Sequence, residues 1–134
     1  MTDDQTEREI QAKGLTAPRI TPADIEANIA SEHYFTAEDG IAGSMFIETE
    51  LAEEVDEVRE NMHGSLRLLT FCVLVLRNGF TVTGESACAS PENFDAEIGR
   101  KIARQNAVAK IWPLMGYELR SKLAVIENLK GGAA

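Results

Sequence analysis

Hydrophobic positions in the middle of the chain follow a strand-like pattern. Residues 66–76 are apolar at almost every position and rich in β-branched and aromatic side chains, and residues 80–88 mix such side chains with threonine and serine. This pattern predicts two β-strands. Asn78-Gly79 between them is the strongest short hairpin signal, because both turn positions require positive φ. The first strand is apolar on both faces, so we expect helices or another subunit to cover it on both sides.

The Asn78-Gly79 turn also predicts the strand register. A two-residue turn places Val75 opposite Val82. In this register Cys72 and Cys88 point to opposite faces of the sheet, so we expect no disulfide between them.

After the hairpin, the hydrophobic positions change to a helical period. SPENFDAEIGRKIARQNAVAKIWP predicts a long helix that Ser90 caps and Pro113 ends, and a second helix is expected after Gly116. On a helical wheel, one face of the long helix is mainly apolar and is expected to pack on the sheet: Phe94, Ile98, Ile102, Ala109 and Trp112. The opposite face carries Arg100, Arg104 and Ile111.

The N-terminal half is less regular. TPADIEANIASE contains a capping threonine, a proline at the first helical position and a capping-box acid, which predict a short helix. SEHYFTAEDGIAGS has two glycines and no clear period, which predicts a loop. FIETELAEEVDEVRENM places its apolar residues on one helical stripe and predicts an acidic helix.

Together these elements predict a single α+β domain over residues 21–129. An antiparallel β-hairpin or small sheet packs against the long helix of the C-terminal half, and the N-terminal segments are helical. Residues 46–63 form an acidic helical insertion in this domain. Residues 1–20 and 130–134 are expected to be flexible tails.

Charge narrows the choice of partners. The net charge is −9, but residues 1–65 hold 16 acids and 4 bases, whereas residues 66–134 hold 6 acids and 9 bases. A strongly negative surface repels duplex nucleic acid, while the C-terminal half is compatible with a small anionic ligand. No apolar run is long enough to span a membrane, and the N-terminus does not have the pattern of a secretory signal. We therefore expect a cytoplasmic protein without a membrane partner, whose cysteines are thiols.

Several residues near the end of the hairpin have catalytic side chains. GESAC resembles a nucleophile elbow, but it lacks the final glycine and lies in a predicted strand. Glu85 and Cys88 are the candidates for a hydrolase, whereas Asp95 and Glu97 lie where a helix N-terminus favours acids in any case. Two histidines and two cysteines without paired spacing do not make a zinc motif. We therefore predict no enzyme, no metal and no cofactor.

Arg100 and Arg104 lie one helical turn apart and would suit a phosphate or carboxylate. A solvated helix face is the alternative interpretation. Ile111 on the same face favours contact with another subunit or a ligand. The backbone N–H groups of the capped segment from Ser90 to Asn93 are a second candidate binding site for an anion.

Four motifs follow one another in the C-terminal half: NGFTVTGES, SPENFD, EIGRKIA and KIWPLMGY. With ITPADIEANIASEHYFTA, they make residues 20–42 and 66–123 resemble a family of small phage and prophage accessory proteins. In its hairpin-plus-helix core the chain is more loosely similar to the phage sponge proteins that counter Thoeris immunity. Those proteins are non-enzymatic oligomers that sequester cyclic ADP-ribose-type signals and, in some cases, cyclic oligonucleotides.

The looser resemblance implies a homo-oligomer that sequesters a cyclic nucleotide immune signal in the bacterial host. Arg100 and Arg104 match the arginine pair that holds ligand phosphates in the sponge proteins, and Phe80, or alternatively Phe71, would stack on the base. The alternative function is a module that binds a host protein through the acidic helix at 48–62.

Overall fold

The computed structural model describes residues 2–131. In chain order, the elements are α1 (Asp3–Ala12), α2 (Pro22–Ala27), β1 (Ile29–Thr36), α3 (Ala37–Thr49), α4 (Ala52–Asn61), a 3-10 turn (Gly64–Leu68), β2 (Leu69–Leu76), β3 (Thr81–Ala87), a second 3-10 turn (Pro91–Asn93) and α5 (Ala96–Lys130).

The three strands form one antiparallel sheet in the order β1-β2-β3, and α5 packs across one of its faces. The core between the sheet and the helices contains small and medium apolar side chains: Ile25, Cys72, Leu74, Leu76, Val82, Ala103, Ala107 and Ile111. The predicted α+β class, with a small sheet on a long helix and helical N-terminal segments, is confirmed.

The hairpin turn lies where Asn78-Gly79 predicts it, but its loop has three residues. The Leu76 N–H donates to the Phe80 carbonyl oxygen at 2.8 Å, and only Gly79 has positive φ, at 90°. The Asn78 side chain instead accepts a hydrogen bond from the Phe80 N–H at 2.9 Å, which stabilises the turn without positive φ at the asparagine. The predicted register is therefore wrong by one residue, since Val75 pairs with Thr81.

This shift of one residue changes the two faces of the sheet. Val82 and Gly84 lie on the face that α5 covers, whereas Val73 and Val75 lie on the opposite face with Thr81. Within one chain, that second face is only partly shielded. The sequence predicts that β2 is covered on both faces, and the structure shows full cover on the α5 face alone.

The loop prediction for SEHYFTAEDGIAGS is wrong. Its first half is β1, which pairs along β2 and stacks Phe35 on Phe71 with ring centroids 5.4 Å apart. Its second half begins α3, because Thr36 and Asp39 form a capping box. The strand has little alternation of its own, so pairing with β2 determines its conformation.

The acidic segment 46–63 is not one helix. It contains the end of α3, a break at Glu50 and then α4. Glu50 adopts the left-handed conformation, with φ 56°. Its N–H donates a hydrogen bond to the Phe46 carbonyl oxygen at 2.7 Å, and this bond ends α3.

The predicted tails differ from each other. Residues 1–20 contain helix α1, whose Glu7 pairs with Arg19 and whose Asp3 accepts a hydrogen bond from the Trp112 indole N–H at 3.1 Å. The flexibility of this segment stays a prediction. Residues 132–134 of the C-terminal tail lie outside the described residues.

Helix α5 is 35 residues long and runs through Pro113, so the predicted stop and second helix are wrong. Its N-cap is Asp95, which accepts from the Ile98 N–H at 3.0 Å, whereas Ser90 makes no side-chain cap. Despite this length, none of the helices in residues 2–131 has an apolar segment suited to crossing a membrane.

The face of α5 that meets the sheet is also different from the predicted one. Its buried positions are Gly99, Ala103, Ala107 and Ile111, whereas Ile98 and Ile102 are 55% and 41% exposed. The prediction that Ile111 lies on the face away from the sheet is therefore wrong, since this residue is part of the core. Small residues face the sheet because the helix backbone approaches the β3 backbone closely at Gly84. A wheel that ranks faces by their large apolar residues cannot identify such a face.

Candidate functional site

Arg104 lies in a cluster with two carboxylates from the N-terminal half. Its Nη1 and Nη2 donate to both oxygens of Glu26 at 3.0 and 2.7 Å. Its Nε and Nη2 donate to Glu32 at 2.9 and 3.3 Å, and the Tyr34 hydroxyl donates to Glu32 at 2.6 Å. Glu26 follows the start of α2 and Glu32 lies on β1, so the cluster joins both elements to α5.

The electrostatics of this cluster suit a structural role. The Arg104 guanidinium is the main reason that the pKa of Glu32 lies below its usual value, and Glu26 is the main reason that the pKa of Arg104 is raised. The pKa of Tyr34 is raised, first by burial and then by its bond to Glu32. A phosphate at Arg104 would have to compete with two carboxylates that already occupy its donors.

The structure spreads the other predicted site residues over the surface. Arg100 is exposed and forms no ion pair with another described residue, and Asn93 is exposed at the end of a three-residue turn. Phe80 is 56% exposed beside the hairpin turn. Phe80 and Arg104 line two separate pockets that share no residue, and neither pocket includes Arg100 or Asn93. Their joint action on one ligand stays a prediction.

A different set of side chains converges at Phe80, in what we call the β3–α5 groove. This groove has a volume of about 480 Å³ and lies between the start of β3 and the middle of α5. It is lined from the hairpin by Phe80, Thr81, Val82 and Thr83, and from the helix by Lys110, Pro113, Leu114 and Tyr117.

Helical spacing explains the α5 side of the groove. Lys110, Pro113, Leu114 and Tyr117 follow one another at intervals of three and four residues and so share one side of the helix. The hairpin side is the free edge of the sheet, because within residues 2–131 β3 pairs only with β2. Since Leu76 bonds to Phe80, alternation directs the backbone groups of Thr81 and Thr83 outward, towards the groove.

The charge of the β3–α5 groove differs from that of the pocket at Arg104. Its lining contains Lys110 and no carboxylate, and Lys110 forms no ion pair within residues 2–131. The pocket that Arg104 lines has about 800 Å³ and includes three carboxylates, those of Asp3, Asp4 and Glu26. An anion therefore meets less repulsion in the β3–α5 groove.

The residues with catalytic side chains are not assembled into a nucleophile and a base. Glu85 is exposed, and its backbone carbonyl oxygen accepts from the Asn106 amide at 2.7 Å. Burial raises the pKa of the Cys72 thiol, and Cys88 donates to the Ser90 carbonyl oxygen at 3.2 Å. Both cysteines are free thiols. Among the described residues, no three His, Cys, Asp or Glu side chains are grouped as a metal site.

The comparisons with known proteins give one match. The model of the phage protein (N4 Gp49/phage Sf6 gene 66) family matches residues 20–123, a range that includes the acidic segment 46–63. No curated protein and no solved structure matches the chain.

Proposed function

We propose that this chain, which belongs to the N4 Gp49/phage Sf6 gene 66 family of phage proteins, is a non-enzymatic binder of a cyclic nucleotide signal. In this proposal the protein acts in the cytoplasm of the bacterial host and sequesters the signal without cleaving it. The observation that carries the proposal is the β3–α5 groove, which combines a free lysine with two exposed aromatic rings and has no acid in its lining.

Each part of the groove matches a part of such a ligand. Phe80 and Tyr117, 56% and 78% exposed, can stack on a base, an interaction that any nucleobase permits. Lys110 can neutralise a phosphate. The outward backbone groups of Thr81 and Thr83 can bond to base or sugar edges. A volume of about 480 Å³ lies in the range of small-molecule sites.

The proposed site keeps Phe80 from the sequence-based prediction and adds Lys110. Arg104 is assigned instead to the cluster with Glu26 and Glu32, where it holds α5 to the N-terminal elements. Arg100, an exposed cation on the same helix, stays a candidate for a second phosphate contact.

We further propose that the protein is a homo-oligomer. The sheet face opposite α5 carries Phe71, Val73 and Val75 beside Phe35, which is 39% exposed. A second copy that covers this face would give the central strand the two-sided burial that its composition favours.

The test is to incubate the purified protein with cyclic ADP-ribose isomers and with cyclic di- and trinucleotides, and to measure the free ligand. Heating the protein should then release intact ligand. We expect depletion to be lost in Phe80→Ala and Lys110→Gln, and to persist in Lys130→Gln, which changes an exposed lysine of the same helix that, like Lys110, forms no ion pair within residues 2–131 and that lies outside the groove. Failure to deplete any candidate would refute the function, and recovery of cleaved ligand would indicate an enzyme. Depletion that persists in Lys110→Gln but is lost in Arg100→Gln would place the ligand at Arg100 instead of the β3–α5 groove.

A further inference from the structure

A second surface on the molecule has the opposite charge preference. Helices α3 and α4 pack against each other, with Ala42 and Val55 buried. Beside this contact they leave an apolar pocket of about 430 Å³, which we call the α3–α4 groove. Its apolar lining consists of Ile41, Met45, Val58 and Met62, and its polar lining of Glu54, Glu57 and Asn61.

Glu54 and Glu57 form the acidic rim of the α3–α4 groove, and the chain segment that contains them has a large excess of acid. Between Glu48 and Glu60 the chain has seven acids and a single base, Arg59. Arg59 is engaged by Glu38 and Asp39 on α3, at 3.4 and 3.3 Å. None of the seven acids forms an ion pair with another described residue. Their charge is therefore uncompensated within residues 2–131.

This acid excess weakens α4 on its own. Glu53 and Glu57 are four residues apart, as are Asp56 and Glu60, and like charges at this spacing repel each other on a helix. The α4 N-cap residue, Leu51, makes no side-chain cap. Cations placed beside the rim would relieve this repulsion, so a positively charged partner would stabilise the helix that binds it.

Apolar surface near the groove is also left open. Ile41, which lines the groove, is 41% exposed. A partner that buries an apolar stripe over several turns would cover more of this surface than a small ligand could.

We propose that the α3–α4 groove binds a basic amphipathic helix of another protein. The apolar stripe of that helix lies on Ile41, Met45, Val58 and Met62, where the two methionines adapt to differently shaped side chains. Its lysines and arginines lie beside Glu54 and Glu57, and the other acids of residues 48–60 add to the negative potential that attracts them. This binding is independent of the cyclic nucleotide function, since it uses different elements and the opposite charge.

The test uses a labelled peptide of leucine and lysine, about 18 residues long, in which leucine recurs with the helical period. Two control peptides have the same composition in scrambled order, or glutamate in place of lysine. Binding to the full chain is measured by fluorescence anisotropy. We expect saturable binding of the amphipathic basic peptide alone, with an affinity that falls as salt is added.

The variants separate specific docking from general attraction. Glu54→Gln with Glu57→Gln should weaken peptide binding about tenfold, and Met45→Gln should weaken it as well. The matched control, Glu85→Gln with Glu92→Gln, removes two exposed acids elsewhere and should leave the affinity unchanged. Glu57→Gln removes the repulsion between Glu57 and Glu53, so we expect α4 to stay folded in the first pair, and circular dichroism checks this.

Three results would overturn the proposal. The first is that the scrambled peptide binds as tightly as the amphipathic basic peptide. The second is that the control pair, Glu85→Gln with Glu92→Gln, weakens binding as much as Glu54→Gln with Glu57→Gln. The third is that the amphipathic basic peptide shows no saturable binding. A change in the oligomeric state of the Met45→Gln protein would assign the groove to a second copy of this chain instead.

Discussion

Gly84 is the point at which the packing of α5 on the sheet can be tested most directly. A Cβ added there would lie 2.9 Å from the Asn106 carbonyl carbon, and closer still to the Ala103 carbonyl oxygen and the Ala107 amide nitrogen. All three are backbone atoms of α5, so no side chain can rotate away. Gly84→Ala therefore forces the helix away from β3.

The size of the effect follows from the distances. Ordinary contact with a Cβ begins at 3.4 Å, so α5 must retreat by roughly 1 Å at its closest approach. A gap of that size forfeits up to about half of the dispersion attraction between the surfaces, and Ala103, Ala107 and Ile111 are all fully buried there. We expect the free energy of unfolding to fall by about 3 kcal/mol, at the upper end of the range for overpacked cores.

The assay is urea denaturation followed by the fluorescence of Trp112, the only tryptophan of the chain. Gly116→Ala is the matched control, because Gly116 lies in the same helix and a Cβ there meets no atom within 4 Å. That change should raise the stability by about 0.5–1 kcal/mol. A Gly84→Ala protein within about 1 kcal/mol of the wild type would refute the close approach of the two backbones.

Three further changes test separate parts of the structure. Glu50→Gly should raise the free energy of unfolding by about 1 kcal/mol in urea titrations, since glycine adopts the left-handed conformation without strain; a loss would contradict the helix break at this residue. Pro113→Ala should raise helicity by circular dichroism and stability by about 1–3 kcal/mol if α5 is continuous, whereas two separate helices would gain little. Arg104→Met should cost about 1–2 kcal/mol at neutral pH by leaving Glu26 and Glu32 unpaired. Because the pKa of Glu32 is lowered on folding, this stabilisation is present above pH 4.5 and is lost as pH falls below it, so the two stability–pH curves should converge in acid.

Local signals predicted those parts of the fold that local chemistry determines. Asn78-Gly79 located the hairpin, and Thr21 with Asp24 located the start of α2 through a capping box that the structure contains. The register depends on whether the loop at Asn78 has two residues or three, and the hydrogen bond that the Phe80 N–H donates to the Asn78 side chain favours three. Such a difference of one residue is not visible in the apolar pattern, because β2 is apolar on both faces.

The long-range parts could not be predicted in this way. Large apolar residues suggested the wrong face of α5, since the helix meets the sheet through Ala103 and Ala107 opposite Gly84. The pairing of Arg104 with Glu32 depends on β1, where the sequence pattern predicts a loop. Lys110 and Tyr117 are two helical turns apart in the sequence and so lie on the same side of a helix. This spacing is a sequence feature that could have indicated the β3–α5 groove.

The two proposed surfaces can be distinguished by salt, because they attract opposite charges on one molecule. The chain carries a net charge of −9, so an anion approaching the β3–α5 groove is repelled at long range and attracted by Lys110 only at short range. Added salt screens charges separated by more than a Debye length, about 8 Å at physiological ionic strength, and so removes more of the repulsion than of the close contact. Nucleotide affinity should therefore hold or rise slightly as salt is added. The basic peptide loses both long-range attraction and rim contacts at Glu54 and Glu57, so it should bind much more weakly. Parallel loss of both affinities with salt would mean that general attraction, rather than two local sites, governs binding.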